Sequence, residues 1–547
     1  MNGFTLRTTV VVMLLFALIP GMASGIPSFA RKYGKPCQTC HVSEPKLNQF
    51  GEWFRANGYQ LPGTVEDTPA WTLHKVPVAA MLHEMFVDRK IHNRMDGATP
   101  PPGLPPGKTY SVRSFRDMGG HVWFGGTLGK HLSFMTSLGI EQELEVEAGR
   151  FGSPSHAHWD FAFFQLNNIF NSRTGVANLK FGSFELELPF SSIRRLSSAL
   201  SPYEVYDIRG VKGSFRLSSP QVGVAFNGLS HLGLNWLRYE LALVNGTNAQ
   251  FDTNVEFDVY GRLAVGRMFD GLIKTARVGG LVYYGRQNLR DLSGNPYPTD
   301  GMIDYWKNEF DINVHIDKEN STFYRWGVDA SVDLKLPDFT LGPLYLGYPI
   351  NLYGQYVVGH DEDIDMTNLN LPYLAGGGKE EGDHGHGLAR TASVDEWLDR
   401  PFDYSGGFIG ADVVVVPTKL YFITRYDWVT VNNQWGDPVE GQFIREAGSA
   451  SWEYDGNEYF FGDPMPRMMT GNVDSGPENG YSRYVVGFRW HLNYQPVTVV
   501  VEYGNQDNLF GFPEPPPNMY NPEWVAGMGR VVSIDSSWFM FMVMFAF

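Results

Sequence analysis

The chain has 547 residues and a formal net charge of −16 at pH 7. This balance excludes nucleic acid as a partner, because phosphates are bound by basic surfaces. Charged residues make up 19% of the chain and aromatic residues 14%, with 61 glycines. Soluble globular domains carry roughly 25% charged residues, so the composition argues against an ordinary globular protein.

Residues 1–25 predict a secretory signal peptide. Arg7 precedes an apolar run over 10–19, Pro20 interrupts that run, and the small residues at 23–25 suit a signal peptidase. The run is too short for a transmembrane helix, and no later stretch holds 18 consecutive apolar residues. We therefore predict an exported protein that, if it crosses a membrane, does so as a β-barrel.

The chain contains two cysteines, Cys37 and Cys40, and His41 follows them directly. This spacing is the attachment signature of a c-type haem. Two thiols reach the two vinyl groups of one porphyrin, and the adjacent histidine serves as the proximal iron ligand. A structural disulfide and half of a zinc site are the alternatives, but a zinc site needs further ligands and the chain has no other cysteine. The motif predicts one covalent haem c.

The predicted cytochrome segment and its linker, residues 26–74, are short for a cytochrome. They leave room for two short helices, one of them over 45–57, before barrel-like sequence begins near residue 75. Much of the cover of the haem, and its sixth ligand, must therefore come from elsewhere in the chain.

From residue 75 to 547 the chain alternates apolar and polar residues in segments separated by turn signals, which is typical of an outer-membrane barrel. We predict about sixteen antiparallel strands, near 75–89, 112–128, 132–147, 156–170, 176–188, 221–227, 236–245, 255–266, 276–287, 324–335, 348–359, 404–416, 418–430, 481–492, 496–504 and 530–547. Connections after even-numbered strands are mostly short, whereas most of those after odd-numbered strands are long, notably 189–220, 360–403 and 431–480. An even strand count places both barrel ends, and the haem segment, on the periplasmic side.

The last predicted strand ends the chain on Phe547 and resembles the terminal assembly signal of bacterial outer-membrane barrels. A soluble β-sandwich or propeller is the alternative, and neither explains the alternation of loop lengths. The predicted fold is mainly β: an outer-membrane barrel with a short N-terminal α-helical haem segment.

Around the haem motif the chain resembles the fused monohaem cytochrome-porin family of outer-membrane iron oxidases. The likeness is carried by the stretches 27–34, 37–41, 45–48, 50–51 and 54–59, and by a porin-like piece at 257–262. The resemblance implies an outer-membrane electron carrier that takes electrons from extracellular ferrous iron to a periplasmic c-type cytochrome or other electron carrier. Whether such a protein counts as an enzyme, a ferrous iron oxidase, depends on that donor.

Strand alternation also predicts which residues face the lumen and are candidates for the distal iron ligand. In the first strand Met81, His83 and Met85 face inward, and in the last strand the methionines 540, 542 and 544 do the same. A closed barrel pairs these two strands, so the two faces should meet. We rank His83 first, with Met81 and Met85 behind, and keep His491 as a further candidate beside Arg489, which could pair with a propionate. Alternatively, the methionines only fill space around a plug.

Two acidic clusters are candidate landing sites for iron. Glu141, Glu143, Glu145 and Glu147 alternate with apolar residues and are expected on one face of the third strand, at the extracellular mouth. The loop 360–403 carries Asp361 to Asp365 and a second group from Glu380 to His386. Carboxylate and imidazole groups bind transition metals, although an ordinary pore lining or a solvated loop explains both clusters equally well.

Two functions compete with inward electron transfer. One is a diffusion porin in which the haem segment acts as a plug or sensor. The other is electron export to an extracellular acceptor. The direction of transfer follows from the resemblance alone.

Overall fold

A computed structural model describes residues 27–61, 78–93, 109–142, 145–147, 150–152, 155–171, 175–198, 201–208, 215–246, 256–288, 320–336, 340–341, 344–345, 349–362, 402–417, 419–431, 451–454, 457–460, 480–492, 497–508 and 534–546. Within these ranges, the helices are all too short or too polar to span a membrane. The predicted signal peptide, 1–25, lies outside the described residues.

The described strands form a closed antiparallel barrel of sixteen strands, each paired with its neighbours in the chain. In order they are β1 Val78–Asn93, β2 Thr109–Thr127, β3 Leu132–Gln142, β4 Ser155–Leu166, β5 Asn178–Phe184, β6 Gln221–Leu232, β7 Asn235–Val244, β8 Asp258–Met268, β9 Ile273–Asn288, β10 Asn320–Lys335, β11 Pro349–Asp361, β12 Phe402–Val416, β13 Leu420–Val431, β14 Gly480–Leu492, β15 Val497–Asn508 and β16 Ile534–Ala546. The barrel closes where β16 pairs with β1, from Ile534 opposite Asn93 to Ala546 opposite Met81.

Alternating side chains explain why these segments pair as strands. Along β7 every second residue from Trp236 to Val244 is buried, whereas Leu241 and Leu243 on the opposite face are 55% and 50% exposed. Apolar residues are exposed in the same way on the outer faces of neighbouring strands, as at Val282. The inner face of β7 also carries the charged residues Arg238 and Glu240, so charge is placed toward the lumen while the outer wall is apolar.

The prediction of sixteen strands is confirmed, but several of its boundaries are wrong, among them the end of the third strand. The third strand was expected to continue to residue 147, whereas β3 ends at Gln142. Residues Glu145–Glu147 instead pair with Arg150–Gly152 in a separate hairpin. The four glutamates therefore do not share one barrel strand. Alternation alone misled here, because a hairpin in the connection has the same period of two as a wall strand.

The connection between β5 and β6, called the inner loop (185–220), folds into the barrel. Its apolar side chains pack against the inner wall in one buried cluster. From the inner loop the cluster takes Leu186, Leu188, Phe190, Tyr203, Val205, Tyr206, Phe215 and Leu217, and from the wall Phe184, Ala225, Ala242, Val244, Tyr260, Leu281, Tyr283, Phe323, Val357, Tyr404, Phe408 and Val429. The helix α3, Glu204–Asp207, lies within this loop. The sequence predicted the length of this connection but not its path.

Residues 27–61, called the N-terminal segment, lie in the lumen at the end that carries the short connections. The segment contains two helices, α1 Pro27–Tyr33 and α2 Gln49–Ala56, and a small ladder that pairs His41–Ser43 with Lys46–Leu47. Its contacts reach the β2–β3 turn, where Gln60 Nε2 donates to the carbonyl of Lys130 at 2.9 Å. They also reach the end of β6, where the rings of Trp53 and His231 lie 4.1 Å apart.

Candidate functional site

The haem motif forms a single 3₁₀ turn. Residues Cys37–Thr39 make the turn, and the Cys40 amide closes it on the carbonyl of Cys37 at 3.0 Å. Residues three apart eclipse one another in this geometry, so both cysteine side chains emerge on the same side. The two cysteines do not form a disulfide, and Cys37 is 8% exposed. Burial raises the pKa of the Cys40 thiol to about 11.

His41 follows the turn and is partly buried. Burial, ahead of the opposing charge of Glu44, lowers the pKa of His41, so its imidazole is neutral at neutral pH. Its Nδ1 finds no hydrogen-bond partner among the described residues. Buried polar nitrogens normally have one, and a neutral imidazole is the form that binds a metal. The two cysteines and this neutral imidazole, adjacent in the chain, fit a covalently attached haem.

Helix α2 supports the motif from one side. The Asn48 amide donates to the carbonyl of Cys40 at 2.9 Å, and the Asn48 side chain caps α2 by accepting from the Gly51 amide at 2.9 Å. A Cβ at Gly51 would lie 2.0 Å from the Cys40 carbonyl oxygen. Glycine is therefore needed at 51 to let the helix approach the motif so closely.

Ion pairs join α2 to the inner loop and to the wall. Arg55 pairs with Glu187 of the inner loop at 2.7 Å, and Arg238 of β7 pairs with Glu52 at 2.8 Å. Arg238 also pairs with Glu187, so two arginines and two carboxylates form one network. The charges are mutually compensated, which makes their burial acceptable and fixes the helix in place.

A second anchor lies across the lumen at Lys46. Its ammonium group pairs with Asp412 of β12, donates to Asn351 of β11 at 2.8 Å and lies 4.5 Å from the centre of the Tyr353 ring. Because these contacts lie on different strands from those of α2, the segment is held on more than one side of the barrel.

The third anchor connects the haem motif to β14 through His491. The Ser43 hydroxyl lies 2.7 Å from His491 Nε2, and Thr498 Oγ1 of β15 lies 2.8 Å from Nδ1. His41 is close enough to His491 to interact with it electrostatically. Sequence reasoning named His491 as a candidate but missed Ser43, since nothing local marks a serine whose partner lies 448 residues further along the chain.

The two predicted methionine faces do meet at the barrel seam. Register places Met542 opposite Met85 and Met544 opposite His83. The buried cluster at the seam comprises Met85, Val87, Val485, Val500, Trp538, Met540, Met542 and Met544, with Met81 packed against it. The outward partners Phe539 and Phe541 are 45% and 40% exposed, as alternation predicts.

His83 lies on the same wall, beside His121 of β2, with 6.3 Å between the ring centres. Its ring covers Gly119, where a Cβ would approach His83 Nε2 to 2.7 Å. The structure thus brings His83, Met81 and Met85 together with the last-strand methionines. However, the wall residue that hydrogen-bonds to the short strand His41–Ser43 is His491, through Ser43, and not His83.

The acidic candidates are only partly described. In the loop 360–403, Asp361 pairs with Arg325, and the stretch from Asp363 to His386 lies outside the described residues. Glu143 does so too. No group of three or more histidine, cysteine or acidic side chains suited to a metal ion occurs in the part of the chain that the structure covers.

Comparison with known proteins finds no matching family model and no matching curated protein. Solved structures similar to this chain include the outer membrane channel DcaP of Acinetobacter baumannii, with 10% identity, 86% of this chain and 96% of that chain covered, and a TM-score of 0.39. They also include Pseudomonas putida OprB, with 11% identity, coverages of 86% and 94% and a TM-score of 0.40. A third is an anion-selective porin from Comamonas acidovorans, with 8% identity, coverages of 86% of this chain and 99% of that chain, and a TM-score of 0.42.

Proposed function

We propose that this chain is an outer-membrane monohaem c-type cytochrome fused to a barrel, which carries electrons from extracellular ferrous iron to a periplasmic c-type cytochrome or other electron carrier. The observation that carries the proposal is the position of the motif Cys37 to His41, on a segment anchored inside the barrel. A redox centre held there would let charge cross a wall that soluble carriers do not pass. The family resemblance supports the same reading.

In this proposal Cys37 and Cys40 hold the porphyrin and His41 is the proximal ligand. The bound group supplies a one-electron iron centre. The residues of the chain itself hold and enclose that centre. Ser43, Lys46 and Arg55 fix the segment to the wall, and the inner loop packs above it. A centre fixed in position needs little rearrangement when its charge changes, which favours electron transfer.

The distal ligand is proposed to come from the seam wall, with His83 first and Met81 and Met85 as the alternatives. Methionine ligation raises the reduction potential relative to two histidines. Near-infrared magnetic circular dichroism of the ferric protein distinguishes the two ligand types. An unchanged spectrum in His83→Ala would remove His83 from the choice.

The outer-membrane location is proposed from the exposed apolar residues of the outer wall. Leu241, Leu263 and Val282 are 55%, 55% and 58% exposed, which is costly in water and favourable in lipid. The short-connection end, where the N-terminal segment lies, is assigned to the periplasm because barrels of this kind carry short turns on that side.

Two measurements on the purified mature protein test the proposal. Its mass should exceed that of the polypeptide by one haem, and the double variant Cys37→Ser, Cys40→Ser should lack the addition. Adding ferrous iron should then convert the visible spectrum to that of a reduced cytochrome. A mature protein without added porphyrin would refute the proposal.

The same preparation separates the competing functions. A haem that ferrous iron does not reduce, in a protein that admits solutes into liposomes, would indicate a porin with a haem plug or sensor. A reduced haem that an added extracellular acceptor reoxidises rapidly, but that ferrous iron does not reduce, would indicate export. Packing of the inner loop and the N-terminal segment in the lumen speaks for low solute flux.

A further inference from the structure

Arg489 is a buried cation without a matching anion. It lies on the lumen face of β14, two residues before His491, and is 3% exposed. Its Nη1 donates to the carbonyl of Leu196 at 3.2 Å, its Nη2 lies 3.6 Å from the sulfur of Met544, and its Nε has no partner in the described part of the chain. A neutral carbonyl and a thioether compensate a buried guanidinium poorly.

The other buried arginines of the lumen differ in this respect. Each forms an ion pair with a carboxylate: Arg238 with Glu52, Arg262 with Asp329, Arg325 with Asp361, and Arg425 and Arg483 with Asp427. The half-buried Arg277 also pairs with Asp329. Arg489 forms no ion pair with any described residue. Among the buried arginines that the structure describes, Arg489 is therefore the exception.

Three carboxylates act on Arg489 electrostatically, and none of them forms an ion pair with it. They are Glu44, Glu502 and Asp412. Glu502 accepts hydrogen bonds from the amide and hydroxyl of Ser198 at 2.8 and 2.7 Å. Asp412 pairs with Lys46. Glu44 lies 3.9 Å from His491 Nδ1, outside ion-pairing distance of Arg489.

We propose that Arg489 is the binding partner of a propionate carboxylate of the haem. This inference rests on the proposed function, and it assigns an anion site to a residue that the attachment motif does not include. A propionate is a carboxylate carried by the group proposed for this end of the lumen, and Arg489 stands beside His491, which contacts the strand that begins at His41. A guanidinium binds a carboxylate with two parallel hydrogen bonds, which would satisfy both the charge and the free Nε donor.

Replacement of the charge should change the haem's reduction potential. A cation near the haem favours the ferrous form, so Arg489→Gln should shift the oxidation equilibrium toward the ferric form about tenfold, or about 59 mV for one electron. Arg277→Gln is the matched control. It also removes a lumenal cation, but Asp329 keeps its pair with Arg262. Equal shifts in both variants would overturn the proposal.

A second variant keeps the test valid if Arg489→Gln does not fold. Failure to fold would show in detergent gels as the same migration before and after boiling. Arg489→Lys retains the charge but replaces a bidentate partner by a single ammonium. With carboxyl-labelled haem, the propionate bands in the infrared redox difference spectrum should shift in this variant. Bands that coincide with those of the parent protein would refute the assignment of Arg489. Absence of covalent haem from the parent protein would instead refute the proposed function.

Discussion

Ser43 shows how a single hydroxyl can fix the position of the haem motif. It forms one of two hydrogen bonds to the ring of His491, while Thr498 forms the other, so both imidazole nitrogens are satisfied. This pairing positions β14 against the N-terminal segment. It also makes His491 a positioning residue in the structure as described.

Removal of this hydroxyl should loosen the segment. In Ser43→Ala a buried ring nitrogen loses its partner, at a cost of about 1–3 kcal/mol. We expect faster cleavage of the N-terminal segment in limited proteolysis, followed by mass spectrometry. Thr498→Ser, which keeps the second hydroxyl, is the control and should behave like the parent protein. Equal cleavage rates in Ser43→Ala and the parent protein would contradict this role.

The charge network around Arg55 should contribute more to stability. Glu187→Gln leaves the buried Arg238 and the half-buried Arg55 with reduced compensation, so we expect a loss of about 3–5 kcal/mol in urea unfolding. The exposed pair of Arg286 and Glu256 offers a control, since both side chains are about two-fifths exposed. Glu256→Gln should cost no more than about 1 kcal/mol. Similar losses in the two variants would show that the network does not hold the segment.

Among elements, the inner loop is fixed by one carboxylate. Glu502 of β15 is fully buried and accepts hydrogen bonds from Ser198 and Ser201, which lie on the inner loop. Arg425 supports the same stretch by donating to the carbonyls of Ser201 and Pro202 at 2.7 and 2.6 Å. These bonds hold the loop across the lumen.

Glu502→Gln should therefore increase ion conductance in planar bilayers. The amide keeps one acceptor but loses the charge, and charge-assisted hydrogen bonds are about twice as strong as neutral ones. The single variants Ser198→Ala and Ser201→Ala each remove fewer bonds and should give smaller increases. Conductance that is unchanged in all three would mean that the loop does not depend on Glu502.

The sequence predicted the wall strands because their alternation is a local pattern, whereas haem attachment at the Cys37–His41 motif stays a prediction. It could not predict the inner loop, since Phe184, Leu186 and Leu188 continue the alternation of β5 although only Phe184 belongs to the strand. A loop that is buried inside a barrel and a strand with one buried face can show the same alternation of apolar and polar residues. The partner of Ser43 and the mismatch at Arg489 depend on distant contacts, which alternation does not encode.

At the scale of the whole molecule, the apolar outer wall predicts how the barrel responds to charge. Val282 lies well inside β9 and is 58% exposed. In the proposed membrane location, Val282→Arg should cost about 2–4 kcal/mol on folding into lipid vesicles. Leu232 ends β6 beside a short turn and is 68% exposed, so Leu232→Arg should cost about 0–1 kcal/mol. Equal free-energy costs for Val282→Arg and Leu232→Arg would argue against a wall that faces lipid.

The closure of β16 onto β1 constrains the order in which the protein can be made. Residues 27–61 are synthesised before the wall strands but end up enclosed by a wall that only the last strand completes. A modifying enzyme could not reach Cys37 through that finished wall. In the proposed function, haem attachment therefore precedes sealing of the barrel, through an assembly intermediate that has a joined porphyrin and an open seam.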